Sequence, residues 1–449
     1  MSAEGATDSS PGREPGVGLS KERAPQGAAE LGDAKNLSRG FVSPSSRAYT
    51  IPLTRSPGLT PGATICRAFG AVELSFQVDY MATLNEIIDS YDAGAPLEQA
   101  STIPASWYTD PRVYDLETRT AFARSWQMVC RLDQLSEPGQ YATAEIAGEP
   151  IVVVRGGDNL LRAFFNVCRH HAATIMTEPA GTANQLRCPY HGWTYSLAGE
   201  LKGTPDFAGV CNFDRSANSL VPIEAAVWEK WVFVRTEGNE TLESFPGADL
   251  IEQTRPLRFS SLHWMERRHY TFDCNWKVFV DNYLDGGYHV PHLHKGLDSV
   301  LDYSHYMIEN GKRFCLQWSP MVHEGAEQQT GAVRQGERAL YYWIYPNLMI
   351  NWYQGVMDTN LVIPRGIDKT EVIFDFYFPN ISNAARERNL QSIEVGQRIQ
   401  DEDEAICKSV QRGLSSRAYK AGRLSVRREA GEHLFHRLLY ADLKLGIAE

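Results

Sequence analysis

The chain has 449 residues, of which 43% are apolar, 22% charged and 11% aromatic, and its formal net charge is −11. This composition is typical of a globular protein with room for two domains, and the acidic balance argues against a nucleic-acid partner, which requires clustered lysine and arginine. Apolar runs fall short of the roughly 20 residues that span a bilayer, so we expect no membrane segment. The eight cysteines are scattered, unlike those of a disulfide-rich secreted domain, and indicate reserved metal-binding thiols.

The first part of the chain differs from the rest. Residues 34–72 contain five basic residues and no acid, and they are rich in Ser, Thr, Pro and Gly. Such a segment cannot bury enough apolar surface to fold, and its composition is typical of an organelle transit peptide. The six acids within residues 1–33 fit a transit peptide less well. We predict that residues 1–72 are disordered and serve as a targeting segment.

After residue 125 the pattern changes to short alternating stretches, which predict antiparallel strands: YATAEIAGEPIVVVR, LRAFFNVC, QLRCPYHGWTYSLAGEL and WEKWVFVR. The pairs Cys168-x-His170 and Cys188-x-x-His191 lie in the loops of this unit. A zinc finger keeps its two cysteines together and its two histidines on a helix. One Cys and one His from each loop instead suit a Rieske [2Fe–2S] centre, in which one iron takes two thiolates and the other two imidazoles. We predict these four residues as the cluster ligands.

A second group of metal-ligating residue types follows in NWKVFVDNYLDGGYHVPHLHKG. Helical spacing places Asp281, Asp285 and His289 at successive i, i+4 positions on one face. His294 would lie about 140° further round an ideal helix. Pro291 disfavours helix at the residue before it, so we expect a break near Val290 that returns His294 to His289. Two converging imidazoles would begin a 2-His-1-carboxylate Fe(II) site, although a His-x4-His pair alone is equally compatible with core histidines.

The missing carboxylate is predicted near the C-terminus, in DEDEAICKSVQRGL. As a helix, this stretch has an apolar stripe formed by Ile406, Cys407, Val410 and Leu414. Asp403 falls within that stripe, where an acid is costly unless it is paired or bound to a cation. Asp401, Glu402 and Glu404 are predicted to point away, as charges favoured near a helix N-terminus would. We therefore predict Asp403 as the third iron ligand.

This order of motifs resembles that of the Rieske non-haem iron oxygenases, and within them the choline monooxygenase family. The shared stretches are CRHHA, CPYHGWTY, NWKVFVDNYLDGGYHVPHLH, YPNLMINWY, MDTNLVIP and EDEAICKSVQRGL. The resemblance spans about residues 105–440 and implies an α+β fold. It implies a Rieske antiparallel β domain over residues 126–238 and a mononuclear iron domain with a helix-grip antiparallel sheet over residues 239–449. Residues 73–125 would pack on this catalytic domain.

The resemblance also implies a [2Fe–2S] cluster, one mononuclear Fe(II) and a homotrimer in which one subunit's cluster supplies electrons to the next subunit's iron. In the wider family an acid three residues before the first iron histidine bridges the two centres. Here that position is Gly286, and the acid is Asp285, one residue earlier. Asp285 and Asp281 are the alternatives for this catalytic bridging role.

The implied reaction hydroxylates choline to betaine aldehyde hydrate with O₂, the first step of glycine betaine synthesis. Because the sequence has no Gly-rich dinucleotide motif, electrons must come from reduced ferredoxin or a separate reductase. Ferredoxin suits a location in the chloroplast stroma, with the mitochondrion as the alternative. A quaternary ammonium prefers aromatic faces, and in YYWIYPNLMINWYQ we predict that Trp352 or Tyr353 contacts the substrate.

Three other functions are compatible with parts of this pattern. A related oxygenase or demethylase could act on glycine betaine, carnitine or another N-methylated amine with the same metals and a different pocket. A Rieske electron carrier could have lost catalysis in its second domain. A structural zinc protein would use the first Cys-His set alone.

Overall fold

The computed structural model describes residues 82–238 and 247–448. The predicted targeting segment, residues 1–72, lies outside these described residues. The α-helices are α1 (Leu84–Asp89), α2 (Ala105–Thr109), α3 (Pro111–Glu117), α4 (Ala248–Thr254), α5 (Trp276–Leu284), α6 (Val290–Leu293), α7 (Lys295–Asp298), α8 (Gln328–Val333), α9 (Asn383–Leu414) and α10 (Ala430–Ala448). The strands are β1 (Gln127–Arg131), β2 (Gln140–Ile146), β3 (Glu149–Arg155), β4 (Leu161–Phe165), β5 (Ala180–Thr182), β6 (Leu186–Arg187), β7 (Thr194–Tyr195), β8 (Leu201–Gly203), β9 (Pro222–Trp228), β10 (Trp231–Arg235), β11 (His263–Phe272), β12 (Met307–Asn310), β13 (Phe314–Pro320), β14 (Arg338–Ile344), β15 (Leu348–Tyr353), β16 (Val356–Gly366) and β17 (Lys369–Phe378).

The strands pair antiparallel in three sheets. Sheet 1 has the order β1-β10-β9-β4-β3-β2-β5, sheet 2 the order β11-β17-β16-β15-β14-β13-β12, and sheet 3 the order β6-β7-β8. The four stretches predicted as strands from their alternating residues lie in sheets 1 and 3. The long helix α9 packs against sheet 2. The predicted α+β class, with antiparallel sheets and a helix-covered catalytic sheet, is confirmed.

Sheet 2 separates two different cores because its side chains alternate between faces. On one face Tyr341 and Trp343 of β14 pack with side chains of α5, α9 and α10. On the other face Tyr342 packs with Trp231 of sheet 1. The indole nitrogen of Trp231 donates to the hydroxyl of Tyr377 at 2.9 Å, which ties sheet 1 to sheet 2. The helix-covered face is therefore the one that can enclose a site.

Helices α5 and α9 run antiparallel on that face, and hydrogen bonds fix their register. Near the start of α5, the backbone nitrogen of Asn275 donates to Oε1 of Gln411 at 2.9 Å. Near its end, Nδ2 of Asn282 donates to Oδ1 of Asp403 at 2.9 Å. Asn275 also caps α5, because its Oδ1 accepts from the backbone nitrogen of Lys277 at 3.1 Å. Asp403 is thus brought to the C-terminal end of α5.

The chain turns sharply directly after α5. Gly286 has φ +66°, and a Cβ there would overlap the carbonyl oxygen of Arg428. Only glycine combines this left-handed conformation with so close an approach. The predicted break near Val290 is therefore wrong in position, since the chain leaves α5 before Gly286. Pro291 instead lies in the first turn of α6, where a missing N–H leaves no helical hydrogen bond unmade.

A buried ion pair joins the N-terminal helices to α5. Nζ of Lys277 lies 2.6 Å from Oε1 of Glu117, and both side chains are almost fully inaccessible. The indole nitrogen of Trp276 donates to the other carboxylate oxygen at 2.8 Å. Burial raises the pKa of Glu117, and the charge of Lys277 opposes that rise. Removal of either partner alone would therefore leave an unpaired charge buried between α3 and α5.

We predict that Glu117→Ala destabilises the protein by about 3–5 kcal/mol, because it leaves the Lys277 charge buried without its partner. The free energy of unfolding would be measured by denaturant titration followed by tryptophan fluorescence. The double variant Glu117→Leu with Lys277→Met removes both charges and should recover most of the loss. Equal destabilisation of the single and double variants would contradict this assignment.

Candidate metal centres and substrate cavity

The two Cys-His pairs lie on two tight loops, one between β4 and β5 and the other between β6 and β7. In the first loop, the backbone nitrogen of Ala172 donates to the Cys168 carbonyl at 3.0 Å. In the second, the nitrogen of Gly192 donates to the Cys188 carbonyl at 3.1 Å. Gly192 has φ +73°, which closes this turn. Each loop therefore presents one cysteine and one histidine from the same turn.

The four predicted cluster side chains come together between these loops. The rings of His170 and His191 are 4.8 Å apart, and Sγ of Cys168 is 3.4 Å from the hydroxyl of Tyr195. Burial and the neighbouring Cys168 thiol raise the pKa of Cys188. Among the described residues, the buried Nδ1 of His170 has no hydrogen-bond partner. Two adjacent thiols beside two imidazoles, one with an unpartnered nitrogen, fit the donor set of a [2Fe–2S] centre.

The two kinds of donor differ in exposure. Cys168 and Cys188 are buried, whereas His191 is exposed and His170 is half-buried, stacked on Trp193 with ring centroids 4.6 Å apart. Burial and the nearby imidazoles lower the pKa of His170, a shift in the direction that favours metal binding. The histidine side of the site therefore faces the surface, where electrons can leave.

A second set of donors meets at the end of α5. The donor atoms of His289, His294 and Asp403 all lie within 4.8 Å of one another. The two rings are 4.8 Å apart at an angle of 80°, and Nε2 of His294 lies 3.1 Å from Oδ1 of Asp403. His294 and Asp403 are buried, with exposed fractions of 2% and 6%. Two imidazoles and one carboxylate beside a cavity fit the donor set of a mononuclear Fe(II) site.

Each of these histidines is oriented by a further carboxylate on its Nδ1. Oδ2 of Asp285 lies 2.6 Å from Nδ1 of His289, and Oε2 of Glu402 lies 2.6 Å from Nδ1 of His294. Such contacts fix the ring and leave Nε2 free to face a metal. Burial lowers the pKa of His294, but the carboxylates of Asp403 and Glu402 outweigh burial and raise it. The sequence analysis placed Glu402 away from the site; its contact with His294 corrects that prediction.

Asp403 lies on the buried face of α9, but the predicted apolar stripe around it is only partly correct. Cys407 is buried, whereas Ile406 and Val410 are 38% and 43% exposed. Helix α9 begins at Asn383, so Asp403 and the three acids beside it lie inside the helix and not at its N-terminus. The helix is longer than the pattern indicated, and its buried face there is polar.

Asp281 and Asp285 belong to different surroundings, although both were predicted on the face of His289. Asp285 contacts His289 directly, also accepting from its backbone nitrogen at 3.0 Å. Asp281 instead accepts from the hydroxyl of Tyr108 at 2.5 Å and lies 3.0 Å from Nε2 of His436. The structure therefore brings Asp285, and not Asp281, into contact with this histidine.

A cavity extends from these donors along the helix-covered face of sheet 2. It has about 800 Å³ of space free of protein atoms, including its open mouth. Its aromatic lining residues are Phe279, Tyr283, Tyr306, Tyr341, Tyr353, Phe374 and Phe376. The hydroxyls of Tyr341 and Tyr353 are 2.8 Å apart, and the rings of Tyr306 and Tyr341 are stacked at 6.4 Å. These rings present several faces of the kind that attract a cation.

The two predicted substrate residues, Trp352 and Tyr353, lie on opposite faces of β15. Tyr353 lines the cavity. Trp352 packs with the core between sheets 1 and 2, opposite Leu340 of β14. Of the two alternatives, the structure therefore places only Tyr353 in the cavity wall, because consecutive strand residues point to opposite faces. Tyr283 and Tyr306 were missed, since only the tertiary fold brings them to this strand.

Two charged side chains that the sequence analysis missed also line the cavity. Asp358 is 4% exposed, and its Oδ2 accepts from Asn351 at 2.7 Å and from Asn360 at 2.9 Å. Burial raises the pKa of Asp358, and the charge of Arg334 opposes that rise. Arg334 is 2% exposed, with its guanidinium 4.8 Å from the Tyr353 ring centre. In the sequence, the polar residues Asp358 and Asn360 at alternate positions of the buried strand segment MDTN were the signal that could have predicted this polar wall.

Comparison with known proteins agrees with both donor sets. The Rieske [2Fe-2S] domain family matches residues 125–214, and the ring hydroxylating alpha subunit (catalytic domain) family matches residues 259–443. The chain is 39% identical over 376 residues to the chloroplastic choline monooxygenase of Arabidopsis thaliana, with 81% of this chain and 88% of the relative covered. The chain belongs to the Rieske non-haem iron oxygenases. The predicted cofactors, a Rieske [2Fe–2S] cluster and one mononuclear iron, are confirmed.

Other relatives of this Rieske oxygenase extend the comparison. The carnitine monooxygenase oxygenase subunit of Escherichia coli (strain K12) is 32% identical, with 72% of this chain and 87% of the relative covered. The solved quaternary ammonium Rieske monooxygenase CntA with L-carnitine matches with a TM-score of 0.67 and 29% identity, over 77% of this chain and 96% of that chain. Naphthalene 1,2-dioxygenase from Rhodococcus, with a TM-score of 0.64 and 20% identity over 78% and 95% of the two chains, shares the fold. Within the described ranges, the Rieske oxygenase has no helix long and apolar enough to cross a membrane.

We predict that Glu402→Gln weakens Fe(II) binding about 10–100-fold, because the carboxylate orients His294 and increases its basicity. Iron affinity would be measured by competition with a chelator, and the absorption spectrum of the [2Fe–2S] cluster should not change. Glu404→Gln is the matched control, since Glu404 is an exposed residue of the same helix and the charge change is identical. Equal iron affinities for both variants would contradict a role for Glu402.

Proposed function

We propose that the enzyme hydroxylates choline. Choline, O₂, two electrons and two protons would give betaine aldehyde hydrate and water. The proposal is supported by the five chloroplastic choline monooxygenases among its relatives, which are 30–39% identical to the chain. The single observation that carries it is the aromatic cavity, which opens directly onto His289, His294 and Asp403.

In this proposal the cluster ligands are Cys168, His170, Cys188 and His191, and the iron ligands are His289, His294 and Asp403. When bound, the cluster and the iron supply electrons and O₂ activation, so that one oxygen atom enters the substrate. The chain's own residues orient both iron imidazoles through their Nδ1 atoms and hold Asp403 with Asn282. The cavity walls exclude water from the reacting carbon.

The trimethylammonium group would lie among the tyrosine rings. Tyr306, Tyr341 and Tyr353 form a contiguous aromatic surface, and Tyr283 is held beside it by a 2.8 Å hydrogen bond to Oδ1 of Asn351. A desolvated cation over such faces gains about 2 kcal/mol or more. The carboxylate of Asp358, also in the cavity wall, offsets the buried guanidinium of Arg334, so the substrate cation would be held by the aromatic faces.

A second candidate substrate is a zwitterionic quaternary amine such as carnitine or glycine betaine. The observation in its favour is Arg334, a buried guanidinium in the cavity wall that donates to Ser392 and whose Nε has no hydrogen-bond partner among the described residues. A substrate carboxylate could bind this guanidinium. Asp358 is the nearby charge that would compensate Arg334 when choline is bound instead.

We expect betaine aldehyde from choline alone in a single-turnover experiment. The protein, loaded with iron and with its cluster chemically reduced, would meet ¹⁸O₂ in the presence of choline, glycine betaine or carnitine, and products would be identified by mass. One labelled oxygen in the choline product, before exchange with water, is the expected result. Asp403→Ala is the control, because it should keep the cluster and lose the iron.

The other outcomes identify the alternatives. Oxidation or demethylation of a zwitterionic amine, with choline inert, would identify the substrate as the second candidate, whose carboxylate binds Arg334. A preparation with two irons per chain, no mononuclear iron and no product would favour an electron carrier without catalysis. A colourless protein containing zinc would exclude the Rieske assignment itself.

We also propose that Asp285 is the electron link to the cluster of a neighbouring subunit in a homotrimer. Asp285 contacts His289 and is partly exposed. Tyr288, three residues further along the chain, is 48% exposed. A second subunit could therefore reach this carboxylate from outside. Sedimentation analysis giving a monomer under assay conditions would contradict the trimer.

We predict that Asp285→Asn lowers the single-turnover yield about 10–100-fold, because a carboxylate in contact with an iron histidine is lost. Iron and cluster contents should remain, since the asparagine oxygen can still accept from His289. Asp281→Asn is the matched control and should lower the yield far less. The reverse order of the two losses would assign the bridging role to Asp281.

The remaining assignments concern the electron donor, the location and the division of the chain. We propose that reduced ferredoxin, or else a separate reductase, supplies the electrons in the chloroplast stroma, with residues 1–72 as the transit peptide. Support comes from the relatives described as chloroplastic. We also propose that residues 126–238 form the Rieske domain and 239–449 the iron domain, with 73–125, which the structure describes from residue 82 onward, as the segment that packs on the latter. Mitochondrial import of a fluorescent reporter fused to residues 1–72 would contradict the plastid assignment.

A further inference from the structure

Gln400 lies on α9 one turn before Asp403 and lines the cavity at its iron end. Its side chain is buried, with 8% of the residue exposed. Nε2 donates to Oδ2 of Asp403 at a long 3.5 Å. Among the described residues, Oε1 of Gln400 has no hydrogen-bond partner. A buried amide oxygen without a partner costs free energy unless a ligand or water satisfies it.

The position of this oxygen limits what can bind it. Nε2 and Oε1 share one carbon, so Oε1 stands beside the carboxylate that would hold the iron. Asp403 itself is an iron ligand in the proposed function, and its Oδ1 already accepts from Asn282 and lies 3.1 Å from His294. Gln400 is therefore a free acceptor next to the place where the substrate carbon must react.

We propose that Gln400 is a specificity-determining residue whose Oε1 accepts the hydrogen bond of the substrate's alcohol. This inference rests on the proposed function and deepens it, since choline carries its hydroxyl on the carbon that is oxidised. With the ammonium among the tyrosines, the hydroxyl points to the iron end of the cavity, where Gln400 lies. A cavity with a buried acceptor at this point selects an alcohol over an analogue that lacks it, because the acceptor is otherwise left unpaired.

A second glutamine in the cavity supplies the matched control. Gln317 on β13 is 1% exposed, and its Nε2 donates to the carbonyl of Tyr283 at 2.7 Å. Its Oε1 also lacks a partner among the described residues. Gln317 has no hydrogen bond to an iron-site residue in the described structure, so we assign it no part in holding the hydroxyl. Gln400→Met and Gln317→Met make the same change of shape and polarity at the two positions.

The test compares choline with ethyltrimethylammonium, which differs only in lacking the hydroxyl. Dissociation constants would be measured calorimetrically without O₂ on protein that holds both metals. We expect Gln400→Met to weaken choline binding about tenfold, the effect of one hydrogen bond between neutral groups, and to leave ethyltrimethylammonium unchanged. Gln317→Met should not change the ratio of the two dissociation constants.

Three results would overturn the inference. Equal weakening of both ligands by Gln400→Met would show a general packing effect, and a changed ratio only in Gln317→Met would assign the hydroxyl to Gln317. Loss of iron from Gln400→Met would assign Gln400 to supporting Asp403. Wild-type protein that binds neither ligand would instead contradict the proposed function, in which choline is the substrate.

Discussion

The buried carboxylate of Asp403 is the constraint on which the site depends. A charge at this position on the inner face of α9 is stabilised only by donors or a cation. The described donors come from Asn282 on α5 and Gln400 on α9, with His294 on the chain beyond the turn. Helices α5 and α9 run antiparallel, and the contact of Asn282 with Asp403 brings the C-terminal end of α5 to the middle of α9. The iron site follows from that meeting point.

The cavity is the consequence of one sheet with two unlike faces. Sheet 2 uses alternate side chains to pack against sheet 1 and against the helices, so the helix-covered face collects Tyr341 and Tyr353 while Tyr342 and Trp352 go to the other core. Asn351 of β15 and Asp358 and Asn360 of β16 line the cavity, and Asp358 accepts hydrogen bonds from the two amides. An aromatic wall suits a cation, and the buried carboxylate of Asp358 and guanidinium of Arg334 restrict where a further charge can lie.

The turn after α5 explains why the acid that contacts His289 is Asp285. A side chain at position 286 would overlap the Arg428 carbonyl, so an acid cannot occupy that position in this fold. The preceding residue ends α5 and reaches both the ring and the backbone of His289. The position of this acid is therefore a consequence of packing. The exposed rim beside Tyr288 keeps this carboxylate accessible from outside the subunit.

The residue patterns by themselves predicted the antiparallel strands and the candidate ligands, because metal-ligand spacing and alternating strands are local properties of the chain. The α+β class and the pair of cofactors followed from the resemblance in the order of the motifs. The residue patterns also singled out Asp403, since an acid in an apolar stripe is costly without a partner. Only the tertiary structure decided the contact of Glu402 with His294, the separation of Asp281 from His289 and the exclusion of Trp352 from the cavity. Each of these depends on which distant elements meet. Helix spacing failed for Asp281 because the chain leaves α5 before Gly286, whose close approach to the carbonyl of Arg428, about 140 residues away, is a tertiary contact.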